Sequence, residues 1–222
     1  MTETRWGRTD AELAALPLTF RADLFAGRSV LVTGAGSGIG RATATWFARL
    51  GAKVALTGRK PEKLESAAQA LRALGAEVLV CPGSIRSPED VTRVVDETWD
   101  AFGGLDILVN NAGGQFPQAA IDFSVKGWNA VIDTNLNGTW YMMQAAAKRW
   151  RDAGRPGSIV NVVTVVWRGM PGVAHTCAAR AGVIYLSKTL AIEWAPLGIR
   201  VNCVAPGAIA TEGMNVYPEE AQ

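Results

Sequence analysis

One histidine, three cysteines and no strong excess of either charge are all that this 222-residue chain offers to the chemistries that need them. A lone histidine, His175, excludes a His-rich metal site, and no metal is expected. Cys81, Cys177 and Cys203 are odd in number, far apart and set among apolar residues, which suits reduced thiols of a cytoplasmic protein and not a disulfide framework. Lys and Arg number 22 against 20 Asp and Glu, and a net charge of +2 is too weak a field to recruit nucleic acid or an anionic membrane. The chain also lacks the apolar run of about 20 residues that spans a bilayer. Residues 1–26, with Arg5, Arg8, Asp10 and Glu12, lack the apolar core of a signal peptide and read as an N-terminal extension on a domain covering 27–222.

What the chain has in quantity is glycine, 24 residues gathered in clusters, against a usual share of about 7%. With 49% apolar and 19% charged residues the composition is that of a soluble compact domain. From Ser29 onward, β-branched runs alternate with longer segments of helical period. Ser29–Thr33, Lys53–Thr57, Glu77–Cys81, Asp106–Val109, Ser158–Val163 and Arg200–Val204 read as strands. Continuous apolar strands separated by helix-length segments predict a single α/β domain, a doubly wound parallel sheet flanked by helices. Pro61 opens one helix, with Leu64, Ala67, Ala68, Leu71 and Leu74 on one face and Gly75 as its stop. Ser87 caps another, with Val91, Val94 and Val95 as its stripe and Gly103 at its end.

The first strand runs into Thr33-Gly34-Ala35-Gly36-Ser37-Gly38-Ile39-Gly40, and Arg41–Leu50 then has helical composition. Glycines let backbone N–H groups approach a diphosphate, and a helix N-terminus adds unpaired donors and the positive dipole end. A glycine turn without a ligand is the plainer alternative, but its place on the first strand-to-helix turn favours a dinucleotide on Gly34, Ser37, Gly38, Ile39 and Gly40. About 20 residues on, an acid favours NAD and a base accommodates the 2′-phosphate of NADP. Here stand Arg59 and Lys60 with no carboxylate, which favours NADP over the alternative of two solvated charges at a helix start.

Three further motifs follow in order: Asn110-Asn111-Ala112-Gly113, Asn135 within Thr134–Gly138, and Pro206-Gly207-Ala208-Ile209-Ala210-Thr211. From about Gly27 to Thr211 the chain resembles the short-chain dehydrogenase/reductase family. That resemblance implies a Rossmann-like fold, with Asn110, Asn111 and Gly113 packed against the cofactor. It also places Pro206, Gly207 and Ile209 beside the nicotinamide, Thr211 near its carboxamide and phosphates, and Ser84 and Ile85 beside the adenine. The family commonly has Asp where this chain has Ser84.

The family's catalytic register is set by Arg180-Ala181-Gly182-Val183. Arg180 takes the usual Lys position, Thr176 the Tyr position and Thr164 the Ser position; Asn135 alone is of the usual type. A Tyr of pKa about 10 can be tuned to exchange a proton, whereas a threonine hydroxyl only donates a hydrogen bond and a guanidinium keeps its proton. The segments around Gly113–Phe116, Lys126–Trp128 and His175–Arg180 resemble the branch that reduces 2-enoyl-CoA and 2,4-dienoyl-CoA thioesters. The resemblance then implies hydride transfer from NADPH to carbon. Thr176, with Thr164, would bond the thioester oxygen, Arg180 would hold the nicotinamide ribose, Asn135 an ordered water, and His175 would supply the last proton or point away.

Other readings remain open at this level. Tyr141 and Tyr185 are replacement acids or, more simply, core aromatics, and Trp128, Trp140, Trp150 and Trp194 suit helix packing or subunit contacts. Thr164 and Thr176 as mere space-fillers would make the chain a non-catalytic NADP-binding protein, and a carbonyl or alcohol substrate is a third possibility. Relatives of this type continue beyond Thr211 through further helices and a last strand, so either this sequence is incomplete or the protein ends early, in which case the sixth strand is expected to be an open edge. Homo-oligomers built on residues 128–150 and 176–194 are implied.

Overall fold

The computed structural model describes residues 6–216. Six strands, β1 (Ser29–Thr33), β2 (Lys53–Gly58), β3 (Val78–Pro82), β4 (Ile107–Asn110), β5 (Gly157–Val162) and β6 (Ile199–Val204), form one parallel sheet in the order β3-β2-β1-β4-β5-β6. The expected doubly wound α/β sheet is what forms, each strand lying within one residue of its predicted limits. The winding reverses between β1 and β4, which are paired in register as Val30–Ile107 to Val32–Val109. Such a switch point opens a crevice at the carboxyl ends of the strands.

Alternation along the strands explains their unbroken apolar runs. Val30, Val32, Val54 and Leu56 face one helical layer, α2 (Gly38–Arg49) and α3 (Pro61–Ala73), where Ala44, Ala48, Leu64, Ala67 and Leu71 meet them. Leu31, Ala55, Leu108 and Ile159 face the other layer. There α4 (Pro88–Phe102) and α6 (Gly138–Asp152) contribute Val91, Val94, Val95, Met142, Met143 and Trp150. The predicted caps are present: Ser87 Oγ accepts the Asp90 N–H at 3.1 Å, and Gly103 takes the left-handed conformation at φ 72°. Helix α2 begins three residues earlier than its composition suggested, inside the glycine turn itself.

The segment before β1 is docked. Thr9 and Glu12 form a reciprocal cap on the short helix α1 (Asp10–Ala15), Arg41 of α2 forks onto Asp10, and Arg49 bonds the carbonyls of Leu13 and Leu16. Between β4 and α6 in the chain, α5 (Val125–Ile132) is joined to α6 by one wide turn of π-helix, Asp133–Asn137.

The last long helix, α7 (Ala174–Glu193), corrects one sequence expectation. Tyr185 and Ile192, seven residues apart on one face, are 74% and 79% exposed, while His175, Thr176, Arg180 and Ser187 are buried. Polar side chains turn inward because α7 packs over the carboxyl ends of the strands, where the polar site lies, so the apolar periodicity misleads. Tyr141 is half-buried against the core, Trp140 stacks on Trp194 at 6.5 Å, Trp150 is fully buried and Trp128 is partly exposed. Cys81, Cys177 and Cys203 are unpaired, and burial pushes the Cys81 thiol up to about 12.

A side chain at Gly157 would overlap the Trp150 indole, which donates to the Leu105 carbonyl. Gly157→Ala should therefore cost about 1–3 kcal/mol in a denaturant melt. An unchanged melt would mean that Trp150 can move aside.

Candidate active site

The crevice between β1 and β4 is built by a clamp. Thr33 Oγ1 accepts the N–H groups of Asn111 (3.0 Å) and Ala112 (2.9 Å), and Asn111 Nδ2 returns to the Thr33 carbonyl at 3.0 Å. Above it, Gly34 (φ 66°) and Gly38 (φ 52°) lie in the left-handed region that a side chain resists. A Cβ at Gly40 would overlap the Gly34 carbonyl oxygen and Asn111 Nδ2. Gly40 is thus a packing glycine that lets α2 approach the turn. Ser37 at the helix N-cap makes no cap bond with its side chain, so the first-turn N–H groups face outward as anion donors.

These parts open onto a cleft of about 560 Å³. Of the predicted cofactor residues, Gly34, Ser37, Gly38, Ile39, Arg59, Lys60, Ser84, Ile85, Asn111, Gly113 and Thr211 line it. Lys63 and Arg86 line it too, and both were missed by sequence reasoning: Lys63 follows Lys60 by three residues in the first turn of α3, and Arg86 directly follows Ile85. The Lys63 ammonium pairs with Glu212 at 3.8 Å. Ser84, in the place of the family's Asp, has its N–H bound by Asp90 at 2.9 Å and its hydroxyl oxygen accepting from Arg86 N–H at 3.3 Å.

Six predicted cofactor residues do not line it: Gly40 packs beneath the turn, Arg180 lies behind Gly113, and Asn110, Pro206, Gly207 and Ile209 lie elsewhere. Asn110 is buried and donates to Asn161 Oδ1 at 2.9 Å, and Asn161 donates to Ser187 at 2.9 Å, so it joins β4 to β5 and α7. Strand alternation aims it away from the cleft that Asn111 enters. Pro206 and Ile209 line a separate, mainly apolar cavity of about 500 Å³ behind the glycine turn, against Leu13, Ile39 and Trp46, with Gly207 exposed between them.

The catalytic candidates sit behind the cleft wall at Gly113. A Cβ on Gly113 would strike the Arg180 guanidinium, which is 7% exposed and makes only long contacts, to Asn135 O (3.5 Å) and Ala112 O (3.4 Å). No carboxylate pairs with it among the described residues, and burial alone lowers its pKa to about 10, so it stays charged at neutral pH. Asn135, in the π-turn, is committed at both ends to Gly114, accepting its N–H at 2.9 Å and donating to its carbonyl at 3.0 Å. These two bonds hold the loop. One turn before Arg180 on the same face of α7, Thr176 Oγ1 is buried without a partner. Thr164 lies apart, its hydroxyl 4.0 Å from the Met170 sulfur. His175 is buried among Phe116 and Phe123, and burial holds it below its ordinary value, so it is neutral and a poor acid at neutral pH.

Residues 28–222 match the sequence pattern described as short chain dehydrogenase. The chain belongs to that family. It is 41% identical over 188 residues, 84% of this chain and 74% of the relative, to a probable 2,4-dienoyl-CoA reductase of Bacillus subtilis. It is 42% identical over 193 residues, 85% of this chain and 72% of the relative, to a glucose 1-dehydrogenase of Gluconobacter oxydans. Among solved structures, a citronellol catabolism dehydrogenase of Pseudomonas aeruginosa superposes with a TM-score of 0.80 at 42% identity, covering 85% of this chain and 77% of that one. A nicotinamide cofactor is a property of the family, and the residues present fit one. The left-handed glycines, the close approach at Gly40 and the outward N–H groups form a diphosphate cradle, and the unpaired cation behind Gly113 faces its inner end.

Two substitutions test this geometry. Gly40→Ala should abolish dinucleotide binding measured by fluorescence quenching while leaving the circular dichroism spectrum helical; retained binding would mean that the turn tolerates the overlap. Arg180 is a buried charge with no counter-ion among the described residues, a costly arrangement. Arg180→Met should raise stability by about 1–2 kcal/mol, roughly 2–8 °C in melting temperature for a chain of this size, while turnover falls. A lowered melting temperature would mean that the guanidinium is compensated in the fold.

Proposed function

We propose that the protein reduces the carbon–carbon double bond of an enoyl- or dienoyl-CoA thioester with NADPH. The observation that carries this reading is the pair on α7: a buried, unpaired Arg180 cation and, one turn earlier, an unpartnered Thr176 hydroxyl where an acid would be needed to protonate an alcohol oxygen. The hydride comes from the nicotinamide dinucleotide bound in the cleft. Thr176 donates a hydrogen bond to the thioester oxygen as it gains enolate charge, and the Arg180 guanidinium supplies positive field at that end of the site. Neither residue has to give up a proton: hydride adds at one carbon, and the enolate then takes a proton from solvent at the other, which completes the reduction. Asn135 fixes Gly114, and with it the wall against which the acyl group lies. Likeness to the Bacillus subtilis reductase supports the same substrate class.

Four cations, Arg59, Lys60, Lys63 and Arg86, around the adenosine end of the cleft support NADP over NAD. The exposed Tyr185 and Ile192 on α7 support association with a second copy. Three unpaired cysteines suit a reducing compartment such as the cytoplasm. Among the described residues no helix is long and apolar enough to cross a membrane. A second reading, interconversion of an alcohol or sugar hydroxyl with its carbonyl, draws on the likeness to the Gluconobacter oxydans enzyme.

Absorbance decay of NADPH with a medium-chain trans-2-enoyl-CoA, with NADH in parallel, decides between them. Decay restricted to NADPH is expected. Activity on glucose and simple ketones without any on the thioester would establish the second reading, and binding without turnover on either would make the chain non-catalytic. Thr176→Val should remove about 2.7–4 kcal/mol of transition-state stabilisation, a hundredfold or more in turnover, with NADPH affinity unchanged. Unaltered turnover would take Thr176 out of the mechanism.

A further inference from the structure

The loop between β4 and α5, residues 111–124, is the wall of the site that faces the head of α7. Among its contacts, Asn135 binds both backbone groups of Gly114, the Gln118 N–H donates to the Gly172 carbonyl at 2.8 Å, and His175 packs against two of the loop's aromatic rings, Phe116 and Phe123, which meet each other edge to face at 5.7 Å. The His175 ring lies 4.8 Å from Phe116, edge to face at 80°, and 4.4 Å from Phe123 at 38°. Phe123 meets Trp128 at 6.3 Å, and the Phe116 ring covers Gly127, where an added Cβ would come within 2.9 Å of it. His175 Nδ1 accepts the Thr176 N–H at 2.8 Å, an amide shared with the Val173 carbonyl at 3.0 Å. The ring proton therefore belongs on Nε2, which is buried without a hydrogen-bond partner.

We propose that His175 is a positioning residue: its uncharged ring is the wedge that fixes the 111–124 loop to the head of α7, and thereby sets Gly113 and Gly114 against Thr176 and Arg180. This role holds whatever substrate the site reduces. An imidazolium would have two N–H donors, one of them aimed at the amide that Nδ1 now accepts from, and its charge would sit among phenyl rings. The groups packed around it, Phe116 and Phe123 from the loop and Thr176 on α7, do not titrate near neutral pH. Burial is the main cause of its lowered pKa, opposed by the Val173 and Phe116 backbone groups, with no contribution from a charged side chain. Because the folded pKa lies below the ordinary 6.5, the stabilisation is complete above that value and is lost as pH falls through the folded one.

Amide hydrogen exchange of peptides covering residues 113–124, corrected for the intrinsic pH dependence of exchange, tests the wedge in wild type, His175→Phe and His175→Ala between about pH 8 and about pH 5. Wild type should be protected at high pH and lose protection about tenfold on acidification. His175→Phe keeps a ring in place but cannot charge, so its protection should not depend on pH, and His175→Ala should be unprotected throughout. Where turnover is measurable, the acid limb of kcat/KM should be present in wild type and absent in His175→Phe. Wild-type protection that ignores pH, or a loop in His175→Phe that loosens with acid as wild type does, would overturn the proposal. Should His175→Ala fail to fold, the wild-type and Phe comparison still decides. An absence of thioester turnover in wild type would count against the proposed reaction and leave the exchange result to stand for or against the wedge.

Discussion

Everything in the site is referred to the seam between β1 and β4, where Thr33 and Asn111 bind each other's backbones. Parallel strands that wind away from each other leave their carboxyl ends unsupported by a connection, and two side chains supply the missing tie. One Thr33 hydroxyl accepts two successive N–H groups, so the exit of β4 is held in line with the glycine turn that leaves β1. The start of α2 and the Gly113 wall are consequently placed by the same few hydrogen bonds. Gly40 completes the arrangement by having no side chain, since any would push α2 off the clamp.

Behind that seam lies a patch of polar burial unusual for a fold whose sheet is otherwise apolar. Asn110, Asn161 and Ser187 form a hydrogen-bonded line across β4, β5 and α7, while Asn135, Arg180, Thr176 and His175 form a second group in which satisfaction is incomplete. The first line ties β4, β5 and α7 together, with only Asn110 Oδ1 left without a partner. In the second, the guanidinium has only distant carbonyls, and one hydroxyl and one imidazole nitrogen have no partner. Buried polar atoms left in this state are costly to keep. Their concentration within six residues of one helix, opposite the dinucleotide cleft, is the physical signature of a site that completes itself with a ligand.

Much of this was legible from residue order. The six strands were bounded to within a residue, because a sheet covered on both faces demands unbroken apolar runs, and Ser87, Pro61 and Gly103 mark helix ends by local chemistry alone. The glycine turn and the Arg59–Lys60 pair were equally legible, since both act through backbone freedom or charge close in sequence. Less legible were residues whose direction depends on a neighbouring element. Asn110 and Asn111 are adjacent yet face different elements, Tyr185 lies on the open face of α7, and Pro206 and Ile209 border a cavity on the far side of the turn.

The sequence by itself determined the order of strands and helices, the phosphate-binding turn, and the absence of the usual acid at Thr176 and lysine at Arg180, because each is a matter of residue type and local spacing. Only the tertiary structure decided that Asn135 binds Gly114, that Arg180 has no counter-ion among the described residues, and that His175 packs against two phenyl rings. The reason is that protonation state and hydrogen-bond commitment depend on what surrounds a side chain. Those surroundings come from segments 21 to 68 residues away in the chain, brought together only when the sheet and its helices assemble.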